Sequence, residues 1–162
     1  MFYYFAYGSC MCPVDLKRSL GENTHSYVIG PGTLKGYRLV FYGYSSLRQC
    51  GVLDVVKDPK ASVEGVLYQL PGYLSDPLDE REKGYNQESV KVSCRGQVYH
   101  KVRTYSVIDK LPEELAPNDW YFNVVLRGAI TCGLPEEYCW KLFNHMRQLQ
   151  QKYNEYPLRR VA

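Results

Sequence analysis

A chain of 162 residues, 45% hydrophobic and 23% charged, is long enough to bury one substantial core and too apolar to be disordered. Its 20 basic and 17 acidic residues leave a net charge of +3, scattered rather than gathered into a stripe, which argues against nucleic-acid binding. No apolar run approaches the ~20 residues of a membrane span, and the first residues lack the basic-then-apolar pattern of a secretory signal, so a soluble cytoplasmic protein is expected.

Taken in order, the aromatic run Phe2-Tyr3-Tyr4-Phe5-Ala6 reads as a strand that stops at Tyr7-Gly8-Ser9-Cys10. Pro13 suits the first turn of a helix over 13–20, with Val14, Leu16 and Leu20 as its apolar positions and Gly21 as its stop. A strand-to-helix junction of this kind turns backbone N–H groups outward and can receive a carboxylate or another anion. Residues 27–44 read as two strands around the turn Gly30-Pro31-Gly32, and 51–56 and 62–70 as two more separated by a turn at Asp58-Pro59. Between Tyr73 and Gly84 a short helix places Leu74, Leu78 and Glu82 four apart on one face. An alternating hairpin follows, 89–94 and 98–107 around Arg95-Gly96, in which Tyr99 and Tyr105 share one side if the strand stays regular. Residues 119–128 read as a loop with a short helix, 135–153 as an amphipathic helix, and 155–162 as a basic tail after a single domain over 1–154. Many strands with few inserted helices indicate an α+β fold, built as a small mixed β-barrel.

Chemistry-bearing candidates are few. The six cysteines contain no C-x-x-C and read as reduced thiols, and His25, His100 and His145 stand at no metal-ligand spacing, so no metal or cofactor is expected. Phosphate-loop, dinucleotide, hydrolase-elbow and zincin motifs are all absent from the sequence. On position alone, Glu80, Arg81, Glu82 and Lys83 read as a solvated charge cluster at a helix end; the face shared with Leu74 and Leu78 instead points Glu82 inward. Cys10 and Cys12 lie where a helix N-terminus favours thiolate, but no histidine is nearby in sequence to act as base. Tyr105 and Tyr121 carry hydroxyls that suit either a polar ligand or an ordinary packed position.

Two of these stretches together, Phe5-Ala6-Tyr7-Gly8-Ser9-Cys10-Met11 and Leu78-Asp79-Glu80-Arg81-Glu82-Lys83-Gly84-Tyr85, resemble the paired signatures of the γ-glutamylcyclotransferase family in order and separation. Gly36–Phe41, Val63–Leu70 and Gly133–Tyr138 resemble that family's intervening strands and the start of its last helix, so the likeness runs from Met1 to Arg147. The resemblance implies a small mixed α/β barrel with a cavity. It further implies that Tyr7, Gly8, Ser9 and Cys10 bind the substrate through backbone N–H groups, that Glu82 is the acid/base, and that Tyr105 and Tyr121 line the pocket. The implied reaction is an acyltransferase- or lyase-type cyclisation in which the α-amine of a γ-glutamyl compound attacks its own γ-carbonyl, releasing 5-oxoproline.

Cys10 stands where many family members carry Asn, and Lys83 separates Glu82 from Gly84 where Glu-Gly is more usual. The leaving group stays open among a free amino acid, a peptide such as glutathione, and an amine. Also open are a non-catalytic module that binds a small acid on the same fold, and acyl transfer dependent on Cys10. The expected partner is a small γ-glutamyl molecule, with the chain a monomer or homodimer.

Overall fold

The computed structural model describes residues 1–155. In chain order its elements are β1 (Phe2–Ala6), α1 (Pro13–Leu20), β2 (Val28–Ser45), β3 (Cys50–Leu70), α2 (Ser75–Arg81), β4 (Tyr85–Cys94), β5 (Gln97–Val107), α3 (Asp119–Thr131) and α4 (Glu136–Glu155). The five strands close into a barrel in the order β1-β3-β2-β4-β5. β1 runs antiparallel to β3 and parallel to β5, so the barrel is mixed, as expected. Apart from Glu155 at the end of α4, the expected tail lies outside the described residues.

The largest departure from the sequence reading is the length of β2 and β3. Each continues through residues that read as turns, giving strands of 18 and 21 residues. The turn residues are absorbed as irregularities: the register shifts between Val28 and Gly30 and again between Lys35 and Tyr37. Pro59, which lacks an N–H to donate, falls in the stretch between Lys57 and Ser62 that pairs with nothing on β2. The β4–β5 hairpin turns at Arg95-Gly96 as expected but begins at Tyr85 rather than Ser89. Its register slips between the pairs Val90–Val102 and Val92–Tyr99, with Lys101 at a φ of +55°. That bulge reverses the alternation, so Tyr99 and Tyr105 do not share a side. Tyr99 packs edge-on against Tyr3, and Tyr105 against Tyr4, the next residue of β1.

Two helices also differ from expectation. In α1, Leu16 and Leu20 are buried, but Val14 faces outward and Asp15 takes the inward place. Residues 119–131 form a full helix, α3, where a loop with a short helix was expected. Its aromatic and β-branched residues are weak helix formers, but Asn118 caps the first turn by accepting the Tyr121 N–H at 2.9 Å. Tyr121, Val125, Gly128 and Ala129 then give it a buried face.

That face lies on the segment after β1. A Cβ added at Gly128 would come within 2.6 Å of the Cys12 nitrogen and 2.7 Å of the Met11 carbonyl carbon. Helix α3 therefore sets the height of the Gly8–Cys12 backbone. Among the described residues, no helix is long and apolar enough to cross a membrane.

Replacing Gly128 with Ala is expected to destabilise the fold by roughly 3 kcal/mol, the upper end of overpacking costs, because the obstructing atoms are backbone. Denaturant unfolding of the variant beside the parent chain measures it.

Candidate active site

At the end of β1 the chain leaves the barrel and turns through Gly8 into a single 3₁₀ turn, Ser9–Met11, ahead of α1. The turn's own hydrogen bonds begin with Met11 N–H to the Gly8 carbonyl and Cys12 N–H to that of Ser9. The N–H groups of Ser9 and Cys10 precede that ladder and take no part in it. Tyr7 anchors the turn from behind, its hydroxyl donating to the Tyr105 carbonyl on β5 at 2.5 Å. Tyr68 from β3 donates to the Cys10 carbonyl at 3.0 Å.

This turn forms one wall of a small cavity of about 40 Å³. All seven residues singled out from the sequence, Tyr7, Gly8, Ser9, Cys10, Glu82, Tyr105 and Tyr121, line it, together with Tyr4, Leu53 and Tyr85. A wider cleft of about 400 Å³ adjoins it and shares Ser9, Glu82, Tyr85 and Tyr121. Glu82 is the residue just after α2, where its N–H bonds the Leu78 carbonyl and its carbonyl accepts the Tyr85 N–H. The expected face holds: Leu74 and Leu78 are buried, and the Glu82 side chain is only 13% exposed. The charge cluster is thus split, with Glu80 and Lys83 paired in solvent while Glu82 and Arg81 turn inward.

Burial pushes the Glu82 carboxyl above the ordinary carboxylate range, against the opposing pull of Arg81, whose Nε lies 3.9 Å from Oε1. The Cys10 thiol donates to the same Oε1 at 3.2 Å and itself accepts from Arg81 Nε at 2.9 Å. Burial also pushes that thiol up to about 12, so it stays protonated at neutral pH and is a poor nucleophile. Cys12 is buried beneath α3 and packs.

The three tyrosines differ in what their hydroxyls have left to offer. Those of Tyr7 and Tyr105 spend their protons on the Tyr105 carbonyl and, at 2.6 Å, on Asp79. Tyr121 instead accepts the Leu53 N–H at 3.0 Å, so its own proton stays available to a ligand oxygen. Among the described residues no group of three or more His, Cys, Asp or Glu side chains lies close enough to hold a metal ion.

The sequence pattern of the AIG2-like family matches residues 62–142, half of the chain, taking in Glu82 and β5. The chain belongs to the AIG2-like family. Among its relatives is YkqA of Bacillus subtilis, named provisionally as a gamma-glutamylcyclotransferase, with 32% identity over 151 residues. That match takes in 91% of this chain and 53% of YkqA, so the chain spans about half the length of this curated relative. The crystal structure of YkqA superposes with a TM-score of 0.82 at 31% identity, over 90% of this chain and 54% of that one. A structure named gamma-glutamyl cyclotransferase superposes at 0.78 with 25% identity, covering 87% and 85% of the two chains. This AIG2-like chain therefore has the γ-glutamylcyclotransferase-like barrel.

What the sequence reading missed in this AIG2-like chain is the set of charges behind the turn. Arg81 donates to Asp15 Oδ2 at 2.7 Å, to Ser9 Oγ at 3.0 Å, and to Ser19. Arg48, from the β2–β3 turn, reaches the same Ser9 oxygen at 3.1 Å and the same Asp15 oxygen at 3.3 Å. Asp15 holds the inward place on α1 that the sequence pattern gives to Val14, and nothing in the sequence marks what faces it.

Asp15→Ala would leave two largely buried guanidinium groups without their carboxylate, and is expected to cost roughly 3 kcal/mol in denaturant unfolding. Glu82→Gln has the opposite sign. Because the folded state holds the Glu82 proton more tightly than the unfolded chain, ionisation destabilises the fold progressively as pH rises above the unfolded carboxyl's pKa. The variant should therefore melt higher than the parent at neutral pH, and the gain should vanish below about pH 4.

Proposed function

We propose that the chain is a γ-glutamylcyclotransferase that releases 5-oxoproline, with Glu82 as general acid/base and the Tyr7–Cys10 turn as the substrate cradle. The observation that carries this is the buried Glu82 side chain lining one cavity with Tyr7, Gly8, Ser9 and Cys10 of that turn. In the reaction the α-amine of the γ-glutamyl group attacks its own γ-carbonyl. The new N–C bond closes a five-membered ring, and the original amide C–N bond breaks. Neither water nor an external nucleophile enters.

The parts suit the steps. A carboxyl with a raised pKa takes the proton from the attacking amine and returns it to the departing nitrogen. Donors at Ser9, Cys10 and Tyr121 suit the substrate carboxylate and the oxyanion that forms at the γ-carbon. Holding the chain curled makes the attack intramolecular, which removes much of the entropic cost. The inner cavity and the cleft of about 400 Å³ share Glu82, so a substrate with its glutamyl group against the turn extends its leaving group into the cleft. The protonated thiol and the lack of a base other than Glu82 beside it weigh against acyl transfer through Cys10.

Incubation with a panel of γ-glutamyl amino acids, peptides and amines, followed by chromatography for 5-oxoproline, tests the proposal. Glu82→Gln should lower turnover about a thousandfold, and Cys10→Ser should keep it within about tenfold. Full turnover in Glu82→Gln would overturn the mechanism, loss confined to Cys10→Ser would point to the thiol, and ligand binding without any product would make the chain a binding module.

A further inference from the structure

We infer that the outer face of the α3–α4 pair is where two copies of this chain join, with their α4 helices antiparallel about a two-fold axis. A groove of about 470 Å³ lies between these helices, lined by Leu126, Ile130, Leu134, Cys139 and Phe143 together with Glu136 and Trp140. Two of its large apolar side chains stand in solvent, Ile130 at 62% and Trp140 at 58% exposure. Phe143 packs edge-on against both Trp140 and Phe122, with ring centres 5.8 and 5.4 Å away, so aromatic surface continues from one helix to the other. Contiguous apolar surface of this kind marks a contact site. On α3, Tyr121, Val125 and Gly128 face the barrel and the turn, whereas Phe122, Leu126 and Ile130 recur four apart on the opposite side. Contact at the groove therefore leaves the cavity at Glu82 uncovered.

The order of side chains along α4 selects a second copy as the occupant. Glu136, Trp140, Phe143 and Arg147 stand four, three and four residues apart, which sets them within about 60° of one another in a single stripe. That stripe reads acid, aromatic, aromatic, base. Turned end for end about a point midway between Lys141 and Leu142, it falls on a copy of itself, with Glu136 against the partner's Arg147 and Trp140 against the partner's Phe143. A two-fold interface requires such self-complementarity, because every contact must be made reciprocally. Parallel helices in register would set like charges on each other. Both charged residues are exposed, and among the described residues neither has an ion-pair partner.

Size and strength follow from the same stripe. At about 470 Å³ the groove is in the range that holds a drug-sized group, and so admits the partner's Trp140 indole. From Glu136 to Arg147 the helix rises about 16 Å, and a helix is about 10 Å across, so two helices present roughly 300 Å² of face. That is below the ~800 Å² per partner of a standard stable interface. The dimer is therefore a weak one, with a Kd on the order of 10–100 µM.

Sedimentation velocity on the full chain, from about 1 to about 300 µM, tests the interface. The unaltered chain should pass from monomer to dimer across that range. Trp140→Ala should remain monomeric throughout, since it removes the central aromatic from both sides. Arg147→Glu should weaken association at least about tenfold, because symmetry meets each reversed charge twice. Adding Glu136→Arg to Arg147→Glu should bring the affinity back to within about threefold of the unaltered chain, as expected if the two positions face each other. Circular dichroism identifies the variants that fold. A monomer at every concentration in the unaltered chain would overturn the interface and leave the groove to a partner of different chemistry. A dimer that Trp140→Ala does not weaken would overturn the choice of face, and a folded double variant that stays dissociated would overturn the antiparallel register.

Discussion

The site hangs on one carboxylate. Asp15, 5% exposed at its side chain, sits between the guanidinium groups of Arg48 and Arg81 and is the point at which α1, the β2–β3 turn and the end of α2 meet. That arrangement holds Arg48 and Arg81, from two distant parts of the chain, within hydrogen-bond reach of Ser9. A carboxylate that deep is tolerated because both oppositely charged partners are themselves held, Arg48 by ring faces and Arg81 by two further hydroxyls and a thiol. The turn after β1 is consequently held on the side that faces the cleft as well as by α3 beneath it.

The same arginine that supports the turn moderates Glu82. Burial alone would leave its carboxyl strongly protonated; Arg81 and the Cys10 thiol each stabilise the anion and pull back part of the shift. The net displacement is upward, the direction that suits the proton transfer proposed for Glu82. Cys10, in the place of the more usual Asn, takes part as a hydrogen-bond partner of Glu82 and Arg81. Its burial keeps it in the thiol form, so the substitution changes the polarity of the cavity without introducing a nucleophile.

Some features could be read without coordinates because they depend on local chemistry. Pro13 opening α1, Gly21 closing it, the Arg95-Gly96 hairpin and the inward face of Leu74, Leu78 and Glu82 follow from periodicity and turn preferences over a few residues. Others failed where a neighbour overruled the local signal. Gly30-Pro31-Gly32 and Asp58-Pro59 break a strand in isolation, but the pairing of two long arms carries the chain through them as bulges. The low helix propensity of 119–131 yields to the Asn118 cap and to burial against the turn.

The sequence by itself determined the kind of fold, a strand-rich α+β chain, and singled out the turn at Tyr7–Cys10 and the inward glutamate, because composition, alternation and short motifs are properties of neighbouring residues. Only the tertiary structure decided that those two stretches share a cavity and that Arg48, 39 residues beyond Ser9, lines the cleft beside it. Only it revealed that Asp15 is a buried counter-ion, because barrel closure and ion pairing join residues whose separation along the chain carries no trace of their distance in space.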